Sequence, residues 1–242
     1  MSSRRRDRNT FIYCSQMHLL GGLWLNDPSS ITNSRFYTMC EVFIQFPRPN
    51  QRWQLYSLGE DNSAQDAIPR NSEEIHPGRY VILSPSREII PVQVINDQAI
   101  NQTRPTRPGA SRANQPNFRH ALENRDHHVC PITGFVGGDG RPGNAGLSAA
   151  HIVPSGRHDV WLRDNMNGLH LANYVHGRFD NFAISVDVDN GYRIVVFDQD
   201  TGGIGGRVLS PSTRSGNPNH RVSDDLLRWH FRQAVLRWMR EL

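Results

Sequence analysis

Apolar positions along this chain fall into short runs broken by turn residues, rather than into long periodic stretches. Between Thr10 and Asp97 the segments FYTMCEVFIQF, RWQLYSL, RYVILS and EIIPVQVI are rich in β-branched and aromatic residues and end at strand length. They predict strands of a β-rich domain over residues 10–97, with no stretch of helical period. Residues 98–118, QAINQTRPTRPGASRANQPNF, lose apolar content and gain proline, asparagine and arginine. That composition predicts a linker, because it cannot bury enough surface to offset the entropy of ordering.

Residues 119–242 read as a second domain of different texture. HALENRD predicts a helix, VCPITG follows it, and a glycine-rich loop runs from Phe135 to Gly146. FAISVDVDNGYRIVVF, residues 182–197, predicts a hairpin of two alternating strands around Asn190-Gly191, a dipeptide suited to a type I′ turn. In the closing stretch Leu227, Phe231, Val235, Trp238 and Leu242 recur at helical spacing. Ser223 can cap that helix, and Asp224 and Asp225 suit the positive end of its dipole. The predicted fold class is α+β, a β-rich domain followed by a second domain that closes on an amphipathic helix.

Composition narrows the classes of function. With 242 residues and 37% hydrophobic content the chain can bury one large core or two modest ones. The most apolar early stretch, Phe11 to Leu25, is interrupted by Gln16 and His18, which makes it too polar for a signal segment, and no membrane span is available. Cys14, Cys40 and Cys130 are odd in number and far apart, so reduced thiols and an intracellular setting, nuclear or cytoplasmic, are expected. The tail 1–9, MSSRRRDRN, reads either as a nuclear address or as a solvated charged end. The net charge is +4 and lysine is absent, which excludes Schiff-base chemistry and leaves arginine as the whole basic set. Arginine's planar fork permits phosphate partners, although codon usage alone can produce such a bias.

Candidate chemistry concentrates between residues 147 and 181. His151, in LSAAHIVP, sits among small and apolar neighbours before a proline. It is open to two readings, a catalytic base at a strand end or a core histidine with a partner. In NGLHLANYVHGRFDN, a helix over Leu169–Asp180 would carry His176 and Asp180 four residues apart on one face. Such a pair can share a divalent cation, or it can be an ordinary helix contact. The glycine-rich loops at 135–146 and 201–206 lack the lysine and hydroxyl of a phosphate-binding loop and read as flexible insertions.

CPITG, LSAAHIVP, NGLHL and HGRFD, in that order, resemble the HNH endonucleases, whose active site is a ββα-metal fold, and in particular fungal-type HNH domain proteins. The resemblance covers about residues 120–198 and extends to the final helix. It implies hydrolysis of DNA phosphodiester bonds, with His151 as general base and Asn167 holding the loop that carries it. It also implies His176 and Asp180 as ligands of one divalent ion, Mg²⁺, Mn²⁺ or Zn²⁺. RNA as substrate stays open, as does a homodimer, since cutting both strands calls for two sites. Many HNH enzymes place a metal-ligating aspartate or histidine just before the base, whereas this chain has Ala150. The alternatives are therefore a degenerate domain that binds nucleic acid or protein without cutting, or a fold turned to small-molecule chemistry. Arg157, Arg163 and Arg178 are weaker candidates for phosphate contact. Linker arginines Arg104, Arg107 and Arg112 are weaker still, and His170, His127 and His128 are minor candidates near the site.

Overall fold

The computed structural model describes residues 8–26, 30–97, 99–100, 115–137, 146–153, 164–217 and 220–241. By contacts it divides into two compact units. The first comprises Met1–Ala99, Val196–Gly206 and Arg232–Leu242, and the second Ile100–Val195 and Arg207–Phe231. Two stretches from beyond residue 118 thus group with the first ninety-nine residues. The chain is an α+β protein.

In the first unit, strands β1 (Thr10–Tyr13) and β2 (Leu19–Leu23) precede helix α1 (Asn33–Phe43), followed by β3 (Ile44–Gln45), β4 (Gln54–Leu58), β5 (Ala64–Ala67), β6 (Gly78–Leu83) and β7 (Gln93–Val94). Five of these strands form one sheet in the order β2-β1-β6-β4-β5, in which β1 and β6 run parallel and the other pairs antiparallel. RWQLYSL and RYVILS are strands as their composition predicts.

FYTMCEVFIQF is not a strand. All but its last residues lie in α1, and only Ile44–Gln45 extends. Asn33, Phe36, Tyr37, Cys40 and Phe43 are buried at helical spacing, and the Thr32 hydroxyl accepts a bond from Arg35 N at 3.2 Å, satisfying a donor of the first turn. Burial of that face outweighs the strand preference of its aromatic residues. EIIPVQVI contributes only β7, which pairs with β3. Tyr37 ties the helix to the sheet: its hydroxyl donates to Ile68 O and accepts from Leu55 N, both at 2.7 Å. Burial pushes that phenol up to about 12, so it stays protonated.

The chain end joins this unit. Gly22 N donates to Met239 O at 2.8 Å, and a Cβ on Gly21 would stand 2.4 Å from the same oxygen, so only glycine lets the two backbones meet. Arg8 bonds Glu241 at 2.7 Å and Arg240 donates to Ile95 O at 3.0 Å. The TGGIGG stretch is an ordered turn and not a loose insertion. The Asp200 carboxylate accepts from Ile204 N at 3.1 Å and Gly205 N at 2.6 Å, occupying the amides that an outside anion would need.

The second unit begins with α2 (Gln115–Asp126), so the last four residues of the expected linker, 115–118, are helical. Then come β8 (Leu147–His151), β9 (Gly168–Ala172), α3 (Asn173–Asp180), β10 (Ile184–Asp187), β11 (Arg193–Val196), α4 (Pro211–Arg214) and α5 (Asp224–Trp238), whose residues from Arg232 on count with the first unit. β10 and β11 pair as expected, but not through a two-residue turn. A 3₁₀ turn, Val188–Asn190, precedes Gly191 and Tyr192, which take the positive φ values of 66° and 61°. Leu227, Phe231 and Val235 of α5 are buried, while Leu242 lies outside the described residues.

Candidate active site on the β8–β9 hairpin

β8 and β9 are antiparallel, with Ser148 opposite Leu171, Ala149 opposite His170, Ala150 opposite Leu169 and His151 opposite Gly168. Together with α3 they follow one another as a ββα unit. The expected helix over Leu169–Asp180 is therefore strand through Ala172 and helix only from Asn173. GLHLA is wholly buried, which suits a short strand covered on both faces. The i,i+4 geometry of His176 and Asp180 survives this change because both lie on α3.

Alternation along β8 sends Ser148 and Ala150 to one face and Ala149 and His151 to the other. α3 covers the first face. Ser148 Oγ stands 2.6 Å from His176 Nδ1, and His176 Nε2 stands 3.3 Å from Asp180 Oδ2. On the second face the His151 ring stacks on Phe118 of α2, with centroids 4.2 Å apart and planes 14° from parallel. Gly168, the partner of His151, makes that packing possible: a Cβ there would stand 2.4 Å from the Phe118 ring.

Asn167 ends the 3₁₀ turn Asp164–Asn167 and is fully buried. Its Oδ1 accepts from Val153 N at 2.8 Å, its Nδ2 donates to Val153 O at 2.9 Å, and its own carbonyl accepts from Ile152 N at 3.0 Å. Three bonds therefore fix the two residues that follow His151. The backbone of β9 is anchored in turn by Asp126, whose carboxylate accepts from His170 N at 3.2 Å, from Thr213 Oγ1 at 3.0 Å and from both forks of Arg125 at 2.7 Å.

The Ser148–His176–Asp180 chain suits a cation. If the Ser148 hydroxyl accepts from Nδ1–H, the Nε2 lone pair faces the Asp180 carboxylate, an arrangement that a positive charge between them relieves. The alternative tautomer donates from Nε2–H to Asp180 and is a plain helix pair. His176 and Asp180 thus offer two donors, and among the described residues no group of three or more His, Cys, Asp or Glu side chains is placed to hold a metal. Among the described residues His127 and His128 do not form a second ligand set. They occupy left-handed backbone positions just past α2, with φ of 52° and 56°.

His170 is fully buried, and neither ring nitrogen has a hydrogen-bond partner among the described residues. Burial pushes its pKa down, against the pull of Asp126 and Glu123, so it is held neutral. Arg178 lies on α3 two residues from both His176 and Asp180, about 200° around the helix from each, and so projects away from the pair. Cys130 is a buried thiol whose carbonyl closes the CPITG turn by accepting from Gly134 N at 2.9 Å. Arg157 and Arg163, like Arg104, Arg107 and Arg112, lie outside the described residues. Ser148 and Asp126 were missed in the sequence. Ser148 has a readable signal, since it precedes Ala150 by two and so shares its face.

Residues 130–187 match the family model described as HNH endonuclease, and the chain carries an HNH endonuclease domain there, spanning β8, β9, α3 and β10. Residues 7–88 match a family described as a domain of unknown function. No curated protein matches the chain. Among solved structures it is similar to a "Modification dependent TagI restriction endonuclease", at 17% identity over 76% of this chain and 77% of that one, with a TM-score of 0.35.

Proposed function

We propose that this protein is a metal-dependent endonuclease that hydrolyses phosphodiester bonds in DNA. The observation that carries the reading is the Asn167–Val153 clamp, which immobilises the backbone directly after His151 inside a segment that matches the HNH family. In this reading a ring nitrogen of neutral His151 takes the proton from the attacking water, a role an imidazole fills near pH 7. Phe118 fixes the plane of the ring, and Asn167 fixes the strand end that carries it. Ser148 orients His176 through Nδ1, leaving Nε2 and the Asp180 carboxylate as the protein's two ligands; the pair lies toward α3 and His151 toward α2, so in this reading the scissile phosphate sits at the end of β8, where His151 closes the strand. A bound Mg²⁺, Mn²⁺ or Zn²⁺ would stabilise charge on the phosphate and the leaving oxygen, with water and substrate oxygens completing its coordination. RNA cleavage and a homodimer with two such sites remain parts of the proposal to be tested alongside it.

Three buried free thiols, Cys14, Cys40 and Cys130, support an intracellular setting, and no helix among the described residues is long and apolar enough to cross a membrane. One observation favours a second reading, a domain that binds nucleic acid without cutting it: Ala150, fully buried beside His151, supplies no ligand. A plasmid-nicking assay of wild type beside His151→Ala, with Mg²⁺, Mn²⁺, Zn²⁺ and EDTA, separates the two. Ion-dependent nicking lost in the variant supports the nuclease. No nicking with any ion favours the binding module, and equal nicking by both proteins removes His151 from the role of general base.

A further inference from the structure

The first unit holds a cavity of about 600 Å³ between α1, the 46–53 loop and Arg70. Its wall is layered. Trp53, buried, stacks on Phe46 with centroids 4.9 Å apart, and Tyr37 lies 4.8 Å from it on a tilted plane. The Arg70 guanidinium lies 4.0 Å over the Tyr37 ring and 4.7 Å over Trp53, and Glu41 holds it by an ion pair at 3.0 Å. Glu41 is therefore spent on Arg70. Arg48 and Arg52 also line the cavity, both exposed, and neither side chain makes a hydrogen bond or ion pair with any described residue. Pro47 and Pro49 restrict the loop that carries Arg48, and Gln51 N bonds Arg48 O at 3.1 Å, so the loop is partly set before any ligand arrives.

We infer that this cavity binds a segment of single-stranded nucleic acid. Arginine forks without partners among the described residues match phosphate oxygens, and two of them on one loop match successive phosphates of a strand. A partly exposed Phe46 and the guanidinium of Arg70, already held over aromatic rings, are surfaces on which a nucleobase stacks. A duplex offers the same phosphates but keeps its bases stacked inside, leaving the ring wall without a partner. The site belongs to the first unit, so its occupancy is independent of whether the HNH segment cuts.

The test is fluorescence anisotropy of the full chain in EDTA with a labelled oligothymidylate of about twelve nucleotides, within the usual site sizes for such grooves. Arg48→Ala/Arg52→Ala, a change of two exposed side chains, is expected to weaken binding about 10- to 100-fold. It should also lower the slope of log affinity against log salt by about 1.4, the loss of two single-strand phosphate contacts. Phe46→Ala is expected to weaken binding by at least about 5-fold with the slope unchanged. Affinity of the double arginine variant within about twofold of wild type, or a duplex bound as tightly as the strand, overturns the inference. Cleavage is not read in this assay, so failure here leaves the nicking result untouched.

Discussion

The carboxamide of Asn167 closes a two-point ring on the backbone of Val153, accepting at 2.8 Å and donating at 2.9 Å in a fully buried setting. Asn167→Ala leaves both backbone groups of Val153 without those partners. The expected cost is about 3 kcal/mol of unfolding free energy, read by urea denaturation. Nicking, if the HNH segment cuts, should fall even at temperatures where the variant is folded, because the strand end behind His151 is no longer held. A stability loss below about 0.5 kcal/mol would mean that the clamp is not a principal restraint.

Ser148 Oγ lies 2.6 Å from His176 Nδ1, and a serine that accepts there leaves Nε2 available. If the Ser148–His176–Asp180 chain serves a divalent ion, Ser148→Ala should lower Mn²⁺ or Zn²⁺ affinity about 10- to 100-fold by calorimetry, and His176→Ala should remove it. In ion-free buffer both variants should unfold within about 1 kcal/mol of wild type, since a partly exposed i,i+4 pair contributes little. Unchanged ion affinity in Ser148→Ala would leave the serine as a packing partner only.

Gly168 lies close against α2. An added Cβ would stand 2.4 Å from Phe118 Cζ and 2.9 Å from Leu122 Cδ1, both on a packed helix, so Gly168→Ala must displace the ring against which His151 stacks. The expected destabilisation is about 1–3 kcal/mol. The diagnostic outcome is a drop in nicking larger than the population of folded protein explains. Loss of stability with activity per folded molecule intact would show that the Phe118 stack does not orient His151.

These residues also show how far the sequence could be read. The order of His151, Asn167, His176 and Asp180 was legible because short motifs travel with their local frame: a strand, a turn and one helix. Their companions were not. Whether His151 faces α2 or α3 depends on the register of β8 against β9, and the Phe118 stack joins residues thirty-three apart in the chain. The strand expected over residues 36–46 is mostly helix because the local strand preference of Phe36, Tyr37 and Phe43 yields to their three-and-four spacing and the Thr32 cap. The parallel β1–β6 pair and the return of Arg232–Leu242 to the first unit are long-range packing outcomes that no local pattern announces.

Acid should destabilise the second unit through His230. The ring is fully buried, stacked 3.8 Å from Phe179, and hydrogen-bonded at Nε2 to Phe179 O (3.1 Å) and at Nδ1 to Ser185 Oγ (2.8 Å). Since the carbonyl can only accept, Nε2 carries the proton and Nδ1 accepts from the serine. Desolvation holds this imidazole neutral, with a pKa lowered to about 3. Unfolding releases the ring to an ordinary pKa near 6.5, so between about pH 6.5 and about pH 3 the unfolded chain binds a proton that the folded chain refuses. Stability therefore rises with pH across that window, and its loss on acidification approaches about 1.4 kcal/mol per pH unit from this residue, to a limit of about 5 kcal/mol. His170, also depressed by burial, adds in the same direction. Urea unfolding at about pH 6 and about pH 5, where carboxylates remain largely ionised, isolates the histidine contribution. His230→Phe keeps an aromatic ring against Phe179 and removes the titration, so the slope over that interval should flatten relative to wild type. An equal slope in the two proteins would mean that the acid sensitivity arises elsewhere.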